Sequence, residues 1–246
     1  RAVGPGDLFF ALVGPRHDAH RFLDEALRRG AAAAVVSRGS IADHPAAPAL
    51  LRVQDTTRAL QDLGAHVRRR HPLTVVGITG SAGKTTAKEM TAAVLAQAAP
   101  TFKSEGNLNN TYGLPLALLR MPDDTRTAVL EMGMSYHGEI ARLVEIADPD
   151  IGVILNVLPV HLEHFGSVDE IARAKGEMFA GLRRDATAAY NADDPHSTRL
   201  GRAFPGRRVA SGIDNPADVM AEGTRTEASD SPPSPLAFAG LRRPVR

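Results

Sequence analysis

The chain has 246 residues, 43% of them hydrophobic and 23% charged, with a net charge of +1; this suits a folded globular protein with room for two domains. The near-neutral balance excludes a strong electrostatic pull toward nucleic acid, and the lack of cysteine excludes disulfides and thiolate metal sites. No apolar run approaches the ~20 residues of a membrane span, and no secretory signal opens the chain, so a cytoplasmic protein is expected. The first residue is Arg1, inside sequence that reads as folded, and a natural start upstream is expected.

Apolar runs alternate with segments of helical period, which predicts an α/β fold. Leu8 to Leu12 reads as a strand and Ala19 to Arg29 as a helix, with Phe22, Leu23, Ala26 and Leu27 on one face and Gly30 closing it. Ala31 to Val36 and Leu50 to Val53 read as two more strands. Asp55 is placed to cap a helix from Thr56 to Arg70, which Pro72 stops. The basic cluster Arg68-Arg69-Arg70-His71 at its end reads as a solvated helix terminus stabilised by the dipole. A domain boundary is expected here, giving a small N-terminal α/β domain over residues 1–72 and a second, mostly parallel-sheet domain over 73–246.

The second domain starts with a strand at Thr74, followed by a helix over Ala87 to Ala98 and another from Pro115 to Leu119. Further strands are expected at Thr127 to Met132, Ile151 to Val157 and Ala186 to Tyr190, with helices at Gly138 to Ala147, Val168 to Leu182 and Pro195 to Phe204. Short apolar strands each followed by a helix describe a parallel sheet covered on both faces, where ligands gather at the C-terminal strand ends. From Ser211 the composition changes, and Asp230-Ser231-Pro232-Pro233-Ser234-Pro235 cannot form regular structure.

The segment Gly80-Ser81-Ala82-Gly83-Lys84-Thr85-Thr86 lies between the first of these strands and its helix. Glycines let backbone N–H groups converge on phosphate oxygens, and the helix N-terminus favours an anion. Lys84 can neutralise β- and γ-phosphates, and the Thr85 hydroxyl can ligate Mg²⁺. ATP or GTP is the expected ligand, against the competing reading of a plain strand-to-helix turn. The full Walker A pattern would place a glycine where this chain has Ile78.

Other candidates sit at strand ends, with bland readings beside them. Glu131 is placed to hold Mg²⁺, or simply ends its strand; Asn156 and Asn191 end theirs; His161 lies just past another, where a structural histidine is the alternative. Lys175 reads from spacing alone as a surface lysine. The loop Gly106-Asn107-Leu108-Asn109-Asn110-Thr111-Tyr112-Gly113 is either a turn or a polar recognition surface.

Taken in order, GDLFFALVG, TGSAGKTTAKEM, GNLNNTYGLPLALL, VLEMGM with GEI, NVLPVHLEHFGS, IARAKGEMF and YNADDP resemble the Mur ligase family of peptidoglycan synthesis. The loop lacking the earlier glycine is similar to this family's version, while HDAH at His17 to His20 stands where the family often has a DGH-like element. The resemblance implies an ATP-dependent ligase of three domains, the third beyond this chain. The amide-rich loop favours the family member that joins UDP-MurNAc-tripeptide to D-alanyl-D-alanine through an acyl phosphate. By resemblance, Gly80 to Thr86 hold ATP, with Lys84 on its β/γ-phosphates, and Asn191 faces the adenine. Thr85 takes one Mg²⁺, Glu131 and His161 a second, and Lys175 becomes a carbamylated metal ligand; Lys84, His161 and Lys175 are then the catalytic set. Asn107, Asn109, Asn110 and Thr111 lie on the substrate side. A monomer is expected. The alternatives are a nucleotide- and UDP-sugar-binding fragment without turnover, and another amide ligase of the superfamily such as a folylpolyglutamate synthase.

Overall fold

A computed structural model describes residues 3–14, 17–37, 49–160 and 165–221. Its smaller sheet contains β1 (Leu8–Phe10), β2 (Ala33–Ser37) and β3 (Leu50–Val53), in that order and all parallel. The crossover from β1 to β2 is not the single helix expected. Asp18 caps a 3₁₀ turn at Ala19–Phe22, accepting from the His20 amide, and α1 (Leu23–Arg28) follows. Gly30 closes it at φ +94°, as expected of a left-handed terminus. Ala11, Leu23, Ala34, Val36 and Leu50 form the core under this sheet.

α2 (Thr56–Arg70) begins on Asp55, whose carboxylate accepts from the Thr57 and Arg58 amides. Its basic end departs from the expectation. Arg69 and Arg70 are exposed, but Arg68 is buried; its guanidinium donates to the Ala147 and Asp148 carbonyls at 2.8 and 3.1 Å. Those carbonyls close another helix, and a buried helix end needs donors.

The larger sheet has the order β10-β9-β8-β7-β4-β6-β5, every neighbouring pair parallel. Its strands are β4 (Thr74–Thr79), β5 (Thr101–Lys103), β6 (Thr127–Glu131), β7 (Ile151–Ile154), β8 (Thr187–Asn191), β9 (Arg207–Gly212) and β10 (Val219–Met220). β5, β9 and β10 escape the apolar pattern because they lie at the sheet margins and carry polar or exposed residues. Residues 222–246, including the Pro-rich stretch, lie outside the described residues.

Among the described residues, five helices complete this unit: α3 (Lys84–Leu95), α4 (Gly113–Leu118), α5 (Glu139–Ala147), α6 (Val168–Ala180) and α7 (Pro195–Ala203). α3 starts three residues before its expected Ala87, because Gly83 at φ +78° turns the chain directly into the helix. α4 starts ahead of Pro115, the Asn110 carboxamide accepting from the Tyr112 and Gly113 amides. β4 has buried residues from Val75 through Thr79. On one side it pairs with β6 and on the other with β7. α3 leaves β4 toward β5 and β6, whereas the connection after β7 leads to β8. The strand order therefore switches direction beside the C-terminal end of β4, where open α/β sheets bind ligands.

Candidate active site

The loop after β4 occupies that switch point. Gly80 is buried, and a Cβ there would sit 3.0 Å from Leu155 Cβ. The N-terminus of α3 has neither a side-chain cap nor an acidic residue in its first turn. Its opening amides have no partner inside the helix, so the terminus presents partial positive charge to a ligand. Ser81 and Ala82, by contrast, direct their amides to Asn156 Oδ1 at 3.0 and 2.9 Å. Lys84 Nζ folds back onto the Gly80 and Ser81 carbonyls at 2.9 and 3.4 Å. Burial lowers the Lys84 pKa, and the charge of Glu131 acts in the opposite direction.

Glu131 is 3% exposed and held from three sides. Its Oε2 accepts from Thr85 Oγ1 at 2.9 Å, its Oε1 from Asn109 Nδ2 at 2.8 Å, and its backbone N–H donates to Ser104 Oγ at 3.1 Å. The fully buried Lys88, one turn past Lys84, donates to the Ser104 carbonyl at 2.7 Å. The Thr85 hydroxyl and Glu131 carboxylate are hard oxygen donors facing one another across the phosphate loop. They fit Mg²⁺, which binds through one or two carboxylates plus substrate phosphates.

Lys175, on α6, is 3% exposed rather than a surface residue. Burial, aided by the nearby Lys84 charge, lowers its pKa to about 7. The shift favours the uncharged amine over the ammonium. The sequence places this lysine on a helix; its burial follows only from packing α6 against β7, α5 and α7.

The remaining candidates divide. Asn109 reaches Glu131. Asn110 is spent on the start of α4, and Thr111 contributes its carbonyl to Gln61 Nε2 at 3.1 Å. Asn107 is exposed beside them. Asn191 ends β8, its Oδ1 accepting from the Asp193 amide at 2.9 Å. His161 lies outside the described residues. Sequence reasoning placed Asn156 at a ligand-collecting strand end without giving it a task, and did not single out Ser104, Lys88 or Gln61. Asn156 carried a usable signal, a carboxamide just after the apolar run of β7, whereas the other three have none without the fold.

Residues 78–234, well over half the chain, match the Mur ligase middle domain. The chain is 46% identical over 194 residues to the UDP-N-acetylmuramoyl-tripeptide–D-alanyl-D-alanine ligase of Escherichia coli, covering 79% of this chain and 42% of that protein. It is 44% identical over 195 residues to the Bacillus subtilis ligase of the same name, again 79% and 42%. Among solved structures, MurF from Acinetobacter baumannii superposes with a TM-score of 0.83 at 36% identity, over 90% of this chain and 48% of that one. MurF ligase from Thermotoga maritima in complex with ADP gives 0.80 at 36%, over 89% and 50%. The chain thus spans less than half the length of the curated relatives it matches here. Sequence, fold and phosphate loop agree: the chain belongs to the Mur ligase family.

Proposed function

We propose that the whole protein is an ATP-dependent ligase joining UDP-N-acetylmuramoyl-tripeptide to D-alanyl-D-alanine in peptidoglycan synthesis. The observation that carries this reading is the uncapped start of α3, with Lys84 on the loop and Thr85 bonded to the buried Glu131. The names of the relatives supply the two substrates. In this reading residues 1–72 receive the UDP portion and 73–246 the ATP, in a cytoplasmic monomer.

The chemistry needs activation, because a carboxylate is a poor acyl donor. The tripeptide carboxylate attacks the γ-phosphorus of ATP, giving an acyl phosphate and ADP. The amine of D-alanyl-D-alanine then attacks the acyl carbon, forming the amide and releasing phosphate and a proton. The chain's task is positioning and charge compensation. The opening amides of α3 hold the phosphates, and Lys84 moves from the Gly80 carbonyl to the β/γ-oxygens. Asn107 and Asn109 would face the substrate, with Asn110 and Thr111 shaping the loop that presents them, and Asn191 would face the adenine.

Two Mg²⁺ ions would neutralise charge on the transferring phosphoryl group. Thr85 would be the ligand for one, and Glu131, His161 and Lys175 would serve the other. Lys175 qualifies once its neutral amine adds CO₂, losing a proton to become a carbamate; the unmodified ammonium would repel a cation. Its depressed pKa keeps the neutral form available at pH 7.

The test is ADP formation by the full-length protein, dependent on both substrates. Lys84→Ala should lower turnover by a factor of 10² to 10³, roughly the cost of removing one preorganised electrostatic donor. Near-normal turnover by that variant would refute the assignment.

A further inference from the structure

A phosphate loop needs its amides held in place before the ligand arrives. In the full Walker pattern an earlier glycine helps shape that loop. Here the corresponding residue is Ile78, buried in the sheet beside Val76, and the strand runs on to Thr79. The turn is compressed into Gly80 to Gly83, and the segment following β7 contacts it throughout. Leu155 N–H donates to the Thr79 carbonyl at 3.0 Å. Asn156 Oδ1 accepts from both Ser81 N–H and Ala82 N–H, the Ser81 N–H being shared with the Asn156 backbone carbonyl at 3.0 Å, while its Nδ2 donates to the Ala82 carbonyl at 3.2 Å. Ser81 Oγ closes the contact, accepting from Leu158 N–H at 2.8 Å and donating to the Leu158 carbonyl at 3.2 Å.

We infer that Asn156 is a positioning residue for nucleotide binding, bracing the glycine loop from the neighbouring strand in place of the missing glycine. The consequence is a division of labour among amides. Those of Ser81 and Ala82 are engaged by Asn156, and those opening α3 stay free for phosphate. A carboxamide suits the task because it accepts two amides and donates one bond without bringing charge near the phosphates. An aspartate would keep the acceptors but repel the ligand. The nucleotide part of this inference rests on the preceding functional reading; the brace itself does not.

The experiment uses full-length protein and two variants, Asn156→Ala and Asn156→Asp, with amide hydrogen exchange and ATP calorimetry. Without nucleotide, the Ala82 amide should be protected in the wild type and exchange roughly tenfold faster in Asn156→Ala, the loss of about one net hydrogen bond, while the Ser81 amide keeps the Asn156 backbone carbonyl at 3.0 Å. In Asn156→Asp protection should persist. ATP affinity should fall roughly tenfold in Asn156→Ala by the same reckoning, and further in Asn156→Asp, with the loss expressed in KM for ATP more than in kcat. An unprotected Ala82 amide in the wild type, or equal exchange of that amide in wild type and Asn156→Ala, would overturn the brace. Faster exchange with unaltered ATP affinity would overturn its role in binding. Failure of the wild type to bind ATP would instead sink the functional reading, and the exchange measurement would still judge the brace.

Discussion

At the scale of single residues, the site is defined by charges held in unfavourable places. Lys175 is the sharpest case. Its pKa falls from 10.5 to about 7 because burial disfavours the ammonium and Lys84 repels it. In the folded protein the group therefore binds fewer protons than in the unfolded chain at any pH between those values. Stability must rise as pH climbs from about 7 toward 10.5, and the full penalty is present below pH 7. A shift of this size amounts to at most about 5 kcal/mol. Lys175→Met, which keeps the length and removes the charge, should raise the Tm at pH 6 and lose most of that advantage at pH 9.5, while abolishing activity. Thermal melts at the two pH values give the comparison. An unchanged Tm at pH 6 would mean that Lys175 is solvated after all.

At the scale of elements, the sequence was legible where one period and one capping signal coincide. β3 and α2 have the expected limits because an apolar strand is followed by Asp55 and then by a stop at Pro72. The phosphate loop was legible for the same reason, as a strand, a glycine turn and a helix in register. β5, β9 and β10 were not, since marginal strands need no apolar face. Nor was the shorter β7, whose expected last residues, Leu155 to Val157, leave the ladder for the glycine loop and Asp194. Burial of Lys175 and Arg68 was hidden because it depends on residues distant in the chain.

Helix contacts carry the same lesson. A Cβ on Gly64 in α2 would lie 2.9 Å from Pro115 Cα, whereas one on Gly176 in α6 would meet the tip of the Leu200 side chain at 2.8 Å. Both glycines are helical, so replacement by alanine gains about 1 kcal/mol of propensity at each. At Gly64 the obstacle is backbone and ring, and overpacking of about 1–3 kcal/mol outweighs that gain. At Gly176 the leucine can move aside. Chemical denaturation should find Gly64→Ala less stable than the wild type and Gly176→Ala equal to it or better. The reverse order would refute the close approach of α2 to α4.

At the scale of the whole molecule, α2 joins the two sheets. Its first residue donates from Thr56 Oγ1 to the Ala11 carbonyl at 2.9 Å, inside the small unit. Its middle reaches the amide-rich loop through Gln61, whose Oε1 accepts from Arg142 Nε at 2.8 Å. Its end seats Arg68 on the carbonyls that close α5, with Asp150 3.6 Å away. Polar ties from Gln61, Asp62 and Arg68 therefore fix α2 to the larger unit, the Asp62 carboxylate pairing with Arg142 at 3.0 Å, while Thr56 fixes the smaller unit to α2. Arg68→Met removes the terminal tie without stranding Asp150, which keeps Arg183 at 2.8 Å and the Val75 amide at 2.8 Å. The cost is then the bonds from a charged donor to two carbonyls, about 3–6 kcal/mol, and it falls on the link. Local stability should respond unevenly, since opening events follow the weakest contacts. Amides of α2 and of β2, from Ala34 to Val36, should exchange faster in Arg68→Met, while those of β4 keep their protection. Thr56→Val should loosen β2 alone. If instead Arg68→Met accelerates β4 as much as β2, the two sheets open as one body and α2 is merely part of a shared core.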